Sequence, residues 1–490
     1  MWPFKRKTAQ KSQRIRAFNA AEINRLTASW SGSNTSLDRD LVNTLPILRG
    51  RSRDLCANNE YAKRFIHQVK VNIVGAQGVT LQNKARDTSG ELDSPANNAI
   101  EAAWRDWSKR GNCDVTGKLT RSDIERLIVE TVARDGEILI RRVPGYDNAS
   151  RYALQVIEAD FLDHKANEER PNGTKTVMGV DLDTWGKPVS YHILRKHPGN
   201  RAAIQGREHD IVPADEILHL YVPMRAHQTR GVPWMHAAMI SLADVGGYRE
   251  AAIVAARVGA SKMGFFMSPS GEEYVGDGKD SAGNIITEAE PGTFDQLPEG
   301  TTLESWDPTY PHDQFESFNK AMLRGIAGGL GVAYHSFAND LEGVNFSSAR
   351  AGILEERDTW MMMQDWLSTG FSSQIYPEWL RNGLLRGQIT FPSGKALPRE
   401  RFDKFNAATW QARRWSWVDP LKDIQANREA IAQRVRSISS VIRETGNDPD
   451  DVFDEIQQER LKLEAMGIEP EHLTASAAQT EQDNGTQTAE

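Results

Sequence analysis

A chain of 490 residues, with 39% hydrophobic and 26% charged residues, is long enough to bury substantial cores, and its length favours about three domains. No apolar run approaches the roughly 20 residues of a membrane helix, and the basic N-terminus lacks the apolar core of a secretory signal. Cys56 and Cys113 form no CxxC pair. These features argue against a membrane protein, a disulfide framework and a thiolate metal site, and they predict a cytosolic product.

The net charge of −8 is unevenly distributed along the chain. Residues 1–16 carry six bases and no acid, whereas residues 271–307 carry ten acids and one base, Lys279. The last twenty residues hold four acids and no Lys or Arg, a composition typical of a disordered tail. The basic arm has two interpretations: a solvated tail, or a contact with nucleic acid or a shell protein.

The first half of the chain predicts helices and then short strands. Apolar residues recur at helical steps between 46 and 74, around 97–110 and over 121–136, where Ser122 or Asp123 is the expected N-cap and Gly136 the stop. Residues 137–221 contain short β-rich runs such as "EILIRRV", broken by Pro, Gly, Asn and Asp. This order predicts an α+β fold.

The second half predicts long helices on both sides of an acidic excursion. A helical pattern runs from Pro233 to about Phe266, with a kink expected at Gly246 and Gly247. Residues 268–311 are acidic and rich in Gly and Pro, and a helix is expected from about Asp313 to Leu330. After a polar loop, another helix is expected from Ser347 or Ser348, and a pair of helices, the second capped by Asp448, follows residue 416.

Catalytic and metal-binding signatures are thin. The chain has no GxSxG elbow, HExxH or Walker A motif. His197 and His219 are interpreted as structural, and Asp135 and Glu137 as surface or cap residues. The segment "WQARRWSW", residues 410–417, has two interpretations: stacking on nucleic-acid bases, or the preferred one, in which the tryptophans pack in a core while the arginines pair with acids.

Several stretches, taken in order, resemble the lambda-type family of bacteriophage portal proteins. They include "LRGRSRDLCANNEYAKRFIHQVKVNIVGAQGVTLQ", "HLYVPMRAHQTRGVPWMHAAMISLADVGGYREAAIVAARVGA", "GLGVAYHSFANDLEGVNFSSAR" with its flanking helices, and "WVDPLKDIQANREAIAQRVRSISSVIRETGNDPDDVFDEIQQE". The resemblance covers residues from about 37 to 465. It implies a structural protein without enzymatic activity, cofactor or metal.

The resemblance also implies a division of the chain into the parts of a portal subunit. These parts are a flexible basic arm (1–36), a wing of helices and strands (37–231), a first stem helix (232–267), an acidic clip (268–311), a second stem helix (312–331), a tunnel loop (332–347), a return helix and wing (348–415), a helical crown (416–470) and a disordered tail (471–490).

Two sets of residues are expected to carry the function. The tunnel loop would face DNA through His335, Phe337, Asn339, Asp340, Glu342, Asn345 and Phe346. The clip would meet the packaging motor and head-completion proteins through Glu272, Glu273, Asp277, Asp280, Glu288 and Glu290. The resemblance implies a ring, typically of twelve copies, at one capsid vertex of the virion, assembled in the host cytoplasm. Its partners would be double-stranded DNA, the terminase motor, major capsid and scaffold proteins and head-completion proteins.

The charge distribution is consistent with passage of DNA rather than adhesion. Each phosphate that a protein neutralises strengthens binding, so a channel that must let a duplex slide should be poor in bases. The sequence has no Lys or Arg between Gly331 and Ser348. Two alternatives remain open at this point: a nucleic-acid-processing enzyme that grips DNA with its basic arm, and an adaptor protein of the capsid.

Overall fold

The structure is a computed structural model of the chain. It describes residues 25, 29, 32–200, 208–260, 264–267, 278–279, 285–286, 302–305, 314–342, 345–415 and 420–467. Helices dominate the described residues and the strands pair in small antiparallel sheets, so the predicted mixture of helix and sheet is confirmed.

The helices stand in two groups along the chain, on either side of the β-rich region. They are α1 (Leu37–Asn58), α2 (Glu60–Ile73), α3 (Ser94–Trp107), α4 (Arg121–Asp135), α5 (Met239–Ala260), α6 (Phe315–Leu330), α7 (Tyr334–Ala338), α8 (Phe346–Leu367), α9 (Ser373–Leu385), α10 (Phe402–Phe405), α11 (Pro420–Ala432), α12 (Ile438–Thr445) and α13 (Pro449–Ala465).

The strands are short. They are β1 (Thr80–Asn83), β2 (Glu137–Pro144), β3 (Tyr152–Glu158), β4 (Glu168–Glu169), β5 (Lys175–Val177), β6 (Val180–Leu182), β7 (Pro188–Leu194), β8 (His209–Pro213), β9 (Ile217–Tyr221), β10 (Gly264–Met267), β11 (Gly278–Lys279), β12 (Ile285–Ile286), β13 (Thr302–Ser305) and β14 (Ala408–Gln411). The two larger sheets have the strand orders β3-β2-β9 and β4-β5-β6-β7-β8, while β1 pairs with β14, β10 with β13 and β11 with β12.

Asn59 sets the angle between the first two helices and attaches them to α5. Its Oδ1 accepts hydrogen bonds from the backbone N–H groups of Tyr61 and Ala62, both at 3.0 Å, which caps α2. Its Nδ2 donates to the carbonyl of Leu242 at 3.2 Å. The apolar faces of α2, α3, α4, α6 and α9 then share one core.

The cap of α4 differs from the prediction by two or three residues. Thr120, and not Ser122 or Asp123, is the N-cap: its Oγ1 accepts the Asp123 N–H while the Asp123 carboxylate accepts the Thr120 N–H, a reciprocal capping box. The helix ends at Gly136 as predicted. Gly136 has φ +93° and its backbone lies directly against Gly231, so neither position has room for a Cβ.

The prediction that Asp135 and Glu137 are surface or cap residues is wrong, because both are fully buried. Glu137 Oε1 accepts hydrogen bonds from Arg49 and, at 2.7 Å, from Arg230 Nε. His219 Nε2 lies 2.9 Å from Glu137 Oε2, which fits the structural role predicted for this histidine. A charge that is buried away from water needs such partners. The contacts of Glu137 with them connect α1, β2, β9 and the segment before α5.

In its described part, the tryptophan and arginine segment follows the structural interpretation for Trp410, whereas Arg413 and Arg414 bond carbonyl and amide oxygens rather than the predicted acids. Trp410 packs against Trp104 at 5.7 Å between ring centroids, and its Nε1 donates to Ser373 Oγ at 2.8 Å. Arg413 donates to the carbonyl of Val71 and Arg414 to Gln364 Oε1. These residues are therefore committed to contacts within the chain. Trp417 lies outside the described residues.

The first long helix is shorter than predicted. Pro233 precedes a 3-10 turn, Trp234–Ala237, and the α-helix begins only at Met239. It continues without a break past Gly246 and Gly247 and ends at Ala260. Residues 264–267, "GFFM", form β10 and pair with β13, as suits a run rich in aromatic residues. The helix prediction is therefore wrong for residues 264–267, and β10 pairs with β13 across the acidic excursion.

The helical segments after residue 345 also differ in detail from the prediction. The α8 helix begins at Phe346, ahead of the predicted Ser347 or Ser348 cap, and passes through one π-helical segment, Ser368–Ser372, into α9. The C-terminal helices number three within residues 420–467 rather than two, because the chain breaks at residues 433–437, where Arg434 has φ +59°. Asp448 caps α13 as predicted, its Oδ1 accepting the Asp450 N–H at 2.9 Å. None of the helices among the described residues has the length and apolarity that crossing a membrane requires.

Candidate functional site

The candidate site is the connection between α6 and α8, residues 331–345, called here the α6–α8 loop. Gly331, with φ +68°, ends α6 in the left-handed conformation and donates its N–H to the carbonyl of Ala327. Gly328 and Gly329 lie inside α6 rather than in the loop. The sequence predicted a loop throughout this connection. The structure differs, because the short helix α7 occupies Tyr334–Ala338.

The first half of the α6–α8 loop is packed against its own chain. The Phe337 side chain is 1% exposed, and its ring lies 5.7 Å from that of Tyr61 on α2. Arg64 of α2 donates to the carbonyl of Ser336, and Ser336 Oγ donates to Glu356 on α8 at 2.7 Å. In this conformation Phe337 cannot contact a passing duplex, because it is a core residue.

The second half of the α6–α8 loop faces solvent. Asn339 has φ +55°, a conformation that Asn tolerates better than most residues, and it turns the chain away from α7. Asn339, Leu341, Glu342 and Asn345 are exposed, with 72% of Leu341 accessible. The exposed end of the loop is defined here by its described exposed residues, which carry two amides, one carboxylate and one aliphatic side chain: Asn339, Leu341, Glu342 and Asn345.

One cation, Lys320, connects the exposed end of the loop to α6. Its Nζ lies 2.5 Å from Glu316 Oε1, 2.6 Å from Glu342 Oε2 and 3.9 Å from Asp340 Oδ2. Sequence reasoning missed this residue because it lies within α6, several helical turns before the loop begins at Gly331. The available signal was the spacing of Glu316 and Lys320, four residues apart on one helical face.

The Asp340 carboxylate fixes the turn of the loop. Its Oδ1 accepts the Glu342 N–H at 2.9 Å and its Oδ2 accepts the Tyr334 hydroxyl at 2.8 Å. The hydrogen bond from the Glu342 backbone N–H, followed by the one from the Tyr334 hydroxyl, lowers the pKa of Asp340 below its ordinary value. Burial and then the bond to Asp340 raise the pKa of Tyr334 to about 12. Both groups therefore keep their charge states, Asp340 ionised and Tyr334 neutral, throughout the physiological range.

The remaining predicted loop residues occupy different environments. His335 is half-buried, and its ring faces Gly352 on α8, where an added Cβ would lie 3.1 Å from the ring. Phe346 is the first residue of α8, and its side chain lies outside the described part of the structure. Of the seven predicted residues, the structure therefore exposes Asn339, Glu342 and Asn345, partly exposes His335 and Asp340, and buries Phe337.

The predicted clip residues lie outside the described residues. These are Glu272, Glu273, Asp277, Asp280, Glu288 and Glu290. The structure describes only short strands in this region, β10 with β13 and β11 with β12.

His197 lies in a group of titratable side chains with Arg53, Glu158 and Asp160. Its Nε2 is 3.7 Å from Glu158 Oε2 and 3.6 Å from Asp160 Oδ2. Arg53 pairs with both carboxylates, at 2.7 Å from Glu158 and 2.5 Å from Asp160. Arg53 also pairs with Asp135, and Arg49 adds a second guanidinium beside Asp160, so the arrangement is that of an ion-pair cluster.

Comparison with known proteins finds a matching family and several relatives of this chain. The model of the family described as "Phage portal protein, lambda family" matches residues 24–364. A probable portal protein of Halomonas phage phiHAP-1 is 37% identical over 464 residues, which cover 92% of this chain and 88% of that protein. Portal protein B of Escherichia phage lambda is 21% identical over 495 residues, covering 92% of this chain and 90% of that protein.

Similar solved structures come from gene transfer agent (GTA) particles. A chain in the neck of an empty GTA particle has a TM-score of 0.45 and 16% identity, over 86% of this chain and 98% of that chain. A chain in the neck of a native particle has a TM-score of 0.43 and 14% identity, over 83% and 94%. The family model and the 37% identical relative both span most of the chain. This chain belongs to the lambda family of phage portal proteins.

Proposed function

We propose that copies of this chain form a ring of twelve at one vertex of a capsid, and that double-stranded DNA passes through its central hole during packaging and ejection. In this proposal α5 and α6 stand beside the channel, and the exposed end of the α6–α8 loop, Asn339–Asn345, faces the duplex. The wing and crown would lie outside and above the channel, where scaffold and major capsid proteins assemble around the ring.

The charge of the exposed loop is the observation that carries this proposal. The loop has no Lys or Arg, so it offers no cation with which to grip phosphates. Lys320 at its root is held by Glu316 and Glu342, and hydrogen bonds to these two carboxylates raise its pKa. The exposed Arg324 of α6 lies beside the loop, over the Tyr334 ring. A loop without cations of its own favours sliding of a polyanion over adhesion.

The acidic segment, residues 268–311, is proposed as the docking surface for the terminase motor and for head-completion proteins. Twelve copies of residues 271–307 would carry −108 formal charges in one circle. Such a concentration of like charge raises the local potential and favours partners with basic surfaces.

Negative-stain microscopy of the purified chain, together with mass measurement, tests the proposal. We expect rings of twelve subunits with a central hole, and no hydrolysis of duplex DNA. A stable monomer that cleaves DNA would overturn the proposal in favour of a nucleic-acid-processing enzyme. A monomer, or an assembly without a hole, would overturn it in favour of a capsid adaptor.

A further inference from the structure

The C-terminal helices α12 and α13 rest on the wing through a small contact. Gln411, the last residue of β14, donates its Nε2–H to the carbonyl of Arg443 at 2.9 Å. Gly446, between the helices, lies against the side chain of Arg414. Pro449, the first residue of α13, is buried although the rest of α13 is mostly exposed. The start of α13 is therefore the part that the wing holds.

A cavity of about 370 Å³ lies at this contact, between α3, α4 and the start of α13. Glu101 and Trp104 of α3 line one side, and Asp448 and Asp451 line the other. Arg121, the first residue of α4, also lines the cavity, but it forms an ion pair with buried Glu125. The cavity thus brings together three carboxyl groups from two parts of the chain that are far apart in sequence. These groups, called here the carboxyl junction, are Glu101, Asp448 and Asp451.

Arg105 and Arg121 line the cavity beside the carboxyl junction, and Lys84 acts on it from outside the cavity lining. Glu101 Oε1 accepts the Asn83 N–H at 2.7 Å, and Arg105, one turn along α3, is the cation that acts on it. Lys84 is the cation that acts on Asp448, and Asp450 adds a further negative charge beside it. With its acids ionised, the junction would therefore hold like charges across the contact, and like charges repel in a partly buried site.

Burial and the neighbouring carboxylates shift the pKa values of the carboxyl junction. Burial first, and then the charges of Asp448 and Asp451, raise the pKa of Glu101 to about 7. Burial first, and then the charges of Asp450 and Asp451, also raise the pKa of Asp448. The charges that act on Glu101 come from the other side of the contact, so the docked arrangement favours the protonated, neutral form of Glu101. Asp450 and Asp451 belong to the helix that Asp448 caps, and they act on Asp448 whether or not that helix is docked.

We propose that the carboxyl junction is a pH-sensitive contact, which holds α12 and α13 on the wing while Glu101 carries a proton and releases them as it ionises. The inference goes beyond the proposed function, because it concerns a contact inside one chain and does not depend on the presence of a ring or of DNA. The cavity gives the released carboxylates access to water, so that release needs no rearrangement of the wing core.

The direction and range of the effect follow from linkage. Release would bring the pKa of Glu101 from about 7 towards its ordinary value of 4.5. Docking is then strongest below about pH 4.5, weakens by up to about tenfold per pH unit as the pH rises towards 7, and levels off above 7, where both forms are ionised.

Hydrogen exchange of residues 438–465 in the full-length chain tests the inference between pH 5 and pH 8, after correction for the intrinsic pH dependence of exchange. We expect protection of these residues in the wild type to fall by at least about tenfold over this range. Glu101→Gln keeps the acceptor for Asn83 but has no charge to develop, so its protection should stay high at every pH. Glu459→Gln, an exposed site on α13, is the matched control and should follow the wild type.

A second variant separates repulsion from simple loss of structure. Asp451→Asn removes one charge facing Glu101, so the loss of protection should become shallower and move to lower pH. Equal protection of the wild type at pH 5 and pH 8 would overturn the inference. The inference would equally fail if a folded Glu101→Gln chain, or a folded Asp451→Asn chain, reproduced the wild-type pH profile.

Discussion

Lys320 and Glu342 are 22 residues apart in the sequence, yet the Lys320 Nζ lies 2.6 Å from Glu342 Oε2. This ion pair connects α6 to the exposed end of the α6–α8 loop, and the same ammonium group also contacts Glu316. Lys320, together with Arg324, thus offsets negative charge of the loop, and its ion pair with Glu342 limits how far the loop extends from the helix.

Lys320→Gln should loosen the exposed end of the loop without unfolding the chain. The variant removes the ion pairs with Glu316 and Glu342, whereas the bond between Tyr334 and Asp340 remains. We expect amide exchange at Leu341 and Glu342 to become several-fold faster, with little change in thermal stability, because exposed ion pairs contribute little to folding. Lys109→Gln, which breaks the exposed pair with Asp106, is the matched control and should leave this loop unchanged. Unaltered exchange at Leu341 and Glu342 in Lys320→Gln would show that the lysine does not hold the loop.

Phe337→Ala should destabilise the chain, although the sequence alone placed this residue at the DNA. Its ring is buried against Tyr61, and truncating a buried Phe to Ala costs about 3–5 kcal/mol of unfolding free energy. Denaturant unfolding of the variant measures this loss. Leu341→Ala, four residues along the same loop and 72% exposed, should change stability by less than about 0.5 kcal/mol. Equal effects of the two substitutions would contradict the packing described for α7.

Glu137→Gln should be among the most destabilising single substitutions in the wing. Burial alone would raise the pKa of Glu137, but the charges of Arg230 and Arg49 outweigh it and hold this pKa well below the ordinary value of 4.5. Removing the charge leaves both buried arginines without their shared partner, at a cost of about 3 kcal/mol or more. Glu216→Gln, which breaks the half-exposed pair with Arg141, should cost about 1 kcal/mol or less.

The pH dependence of the Glu137→Gln effect has a definite sign. A depressed pKa in the folded state means that the ionised group stabilises the fold above its ordinary pKa, and that this stabilisation is lost as the pH falls towards the depressed value. The difference in unfolding free energy between wild type and variant should therefore be constant above about pH 5 and shrink below pH 4.5. A difference that grows on acidification would contradict the assignment of Glu137 as an ionised group.

The double substitution Asp340→Lys with Glu342→Lys should impair DNA packaging or retention while leaving ring formation intact. It places two cations per subunit at the exposed end of the loop, and twelve subunits would present about 24 new phosphate partners to a duplex that has to slide. Packaging assays and mass measurement of the ring test the two parts separately. Asp454→Lys with Glu455→Lys makes the same change in charge on exposed α13 and controls for net charge. Packaging at the wild-type level by the loop variant would refute the DNA-facing assignment.

The sequence predicted elements better than it predicted the roles of individual side chains. Helical periodicity correctly placed α6, and local chemistry correctly placed the end of α4 at Gly136 and the cap of α13 at Asp448. These features depend on residues close in sequence, and local hydrogen bonds decide them. The burial of Glu137 depends instead on Arg49 and Arg230, 88 and 93 residues away, so no local pattern could reveal it.

At the candidate site, too, local features could be predicted from the sequence, whereas contacts between distant residues could not. The absence of bases from residues 332–347 was visible in the sequence, and so was the polar character of Asn339, Glu342 and Asn345. The burial of Phe337 was not visible, because it depends on the packing of α7 against α2. Lys320 was missed for a similar reason: only the folding of the chain back onto α6 brings Glu342 to it.

A cryo-electron microscopy reconstruction of the assembled protein with duplex DNA in its channel tests the central claim most directly. The proposal predicts a closed ring in which Asn339, Glu342 and Asn345 of each subunit form the narrowest part of the hole and lie next to the duplex. A reconstruction with these three residues on the outer rim, or buried between subunits away from the axis, would contradict it.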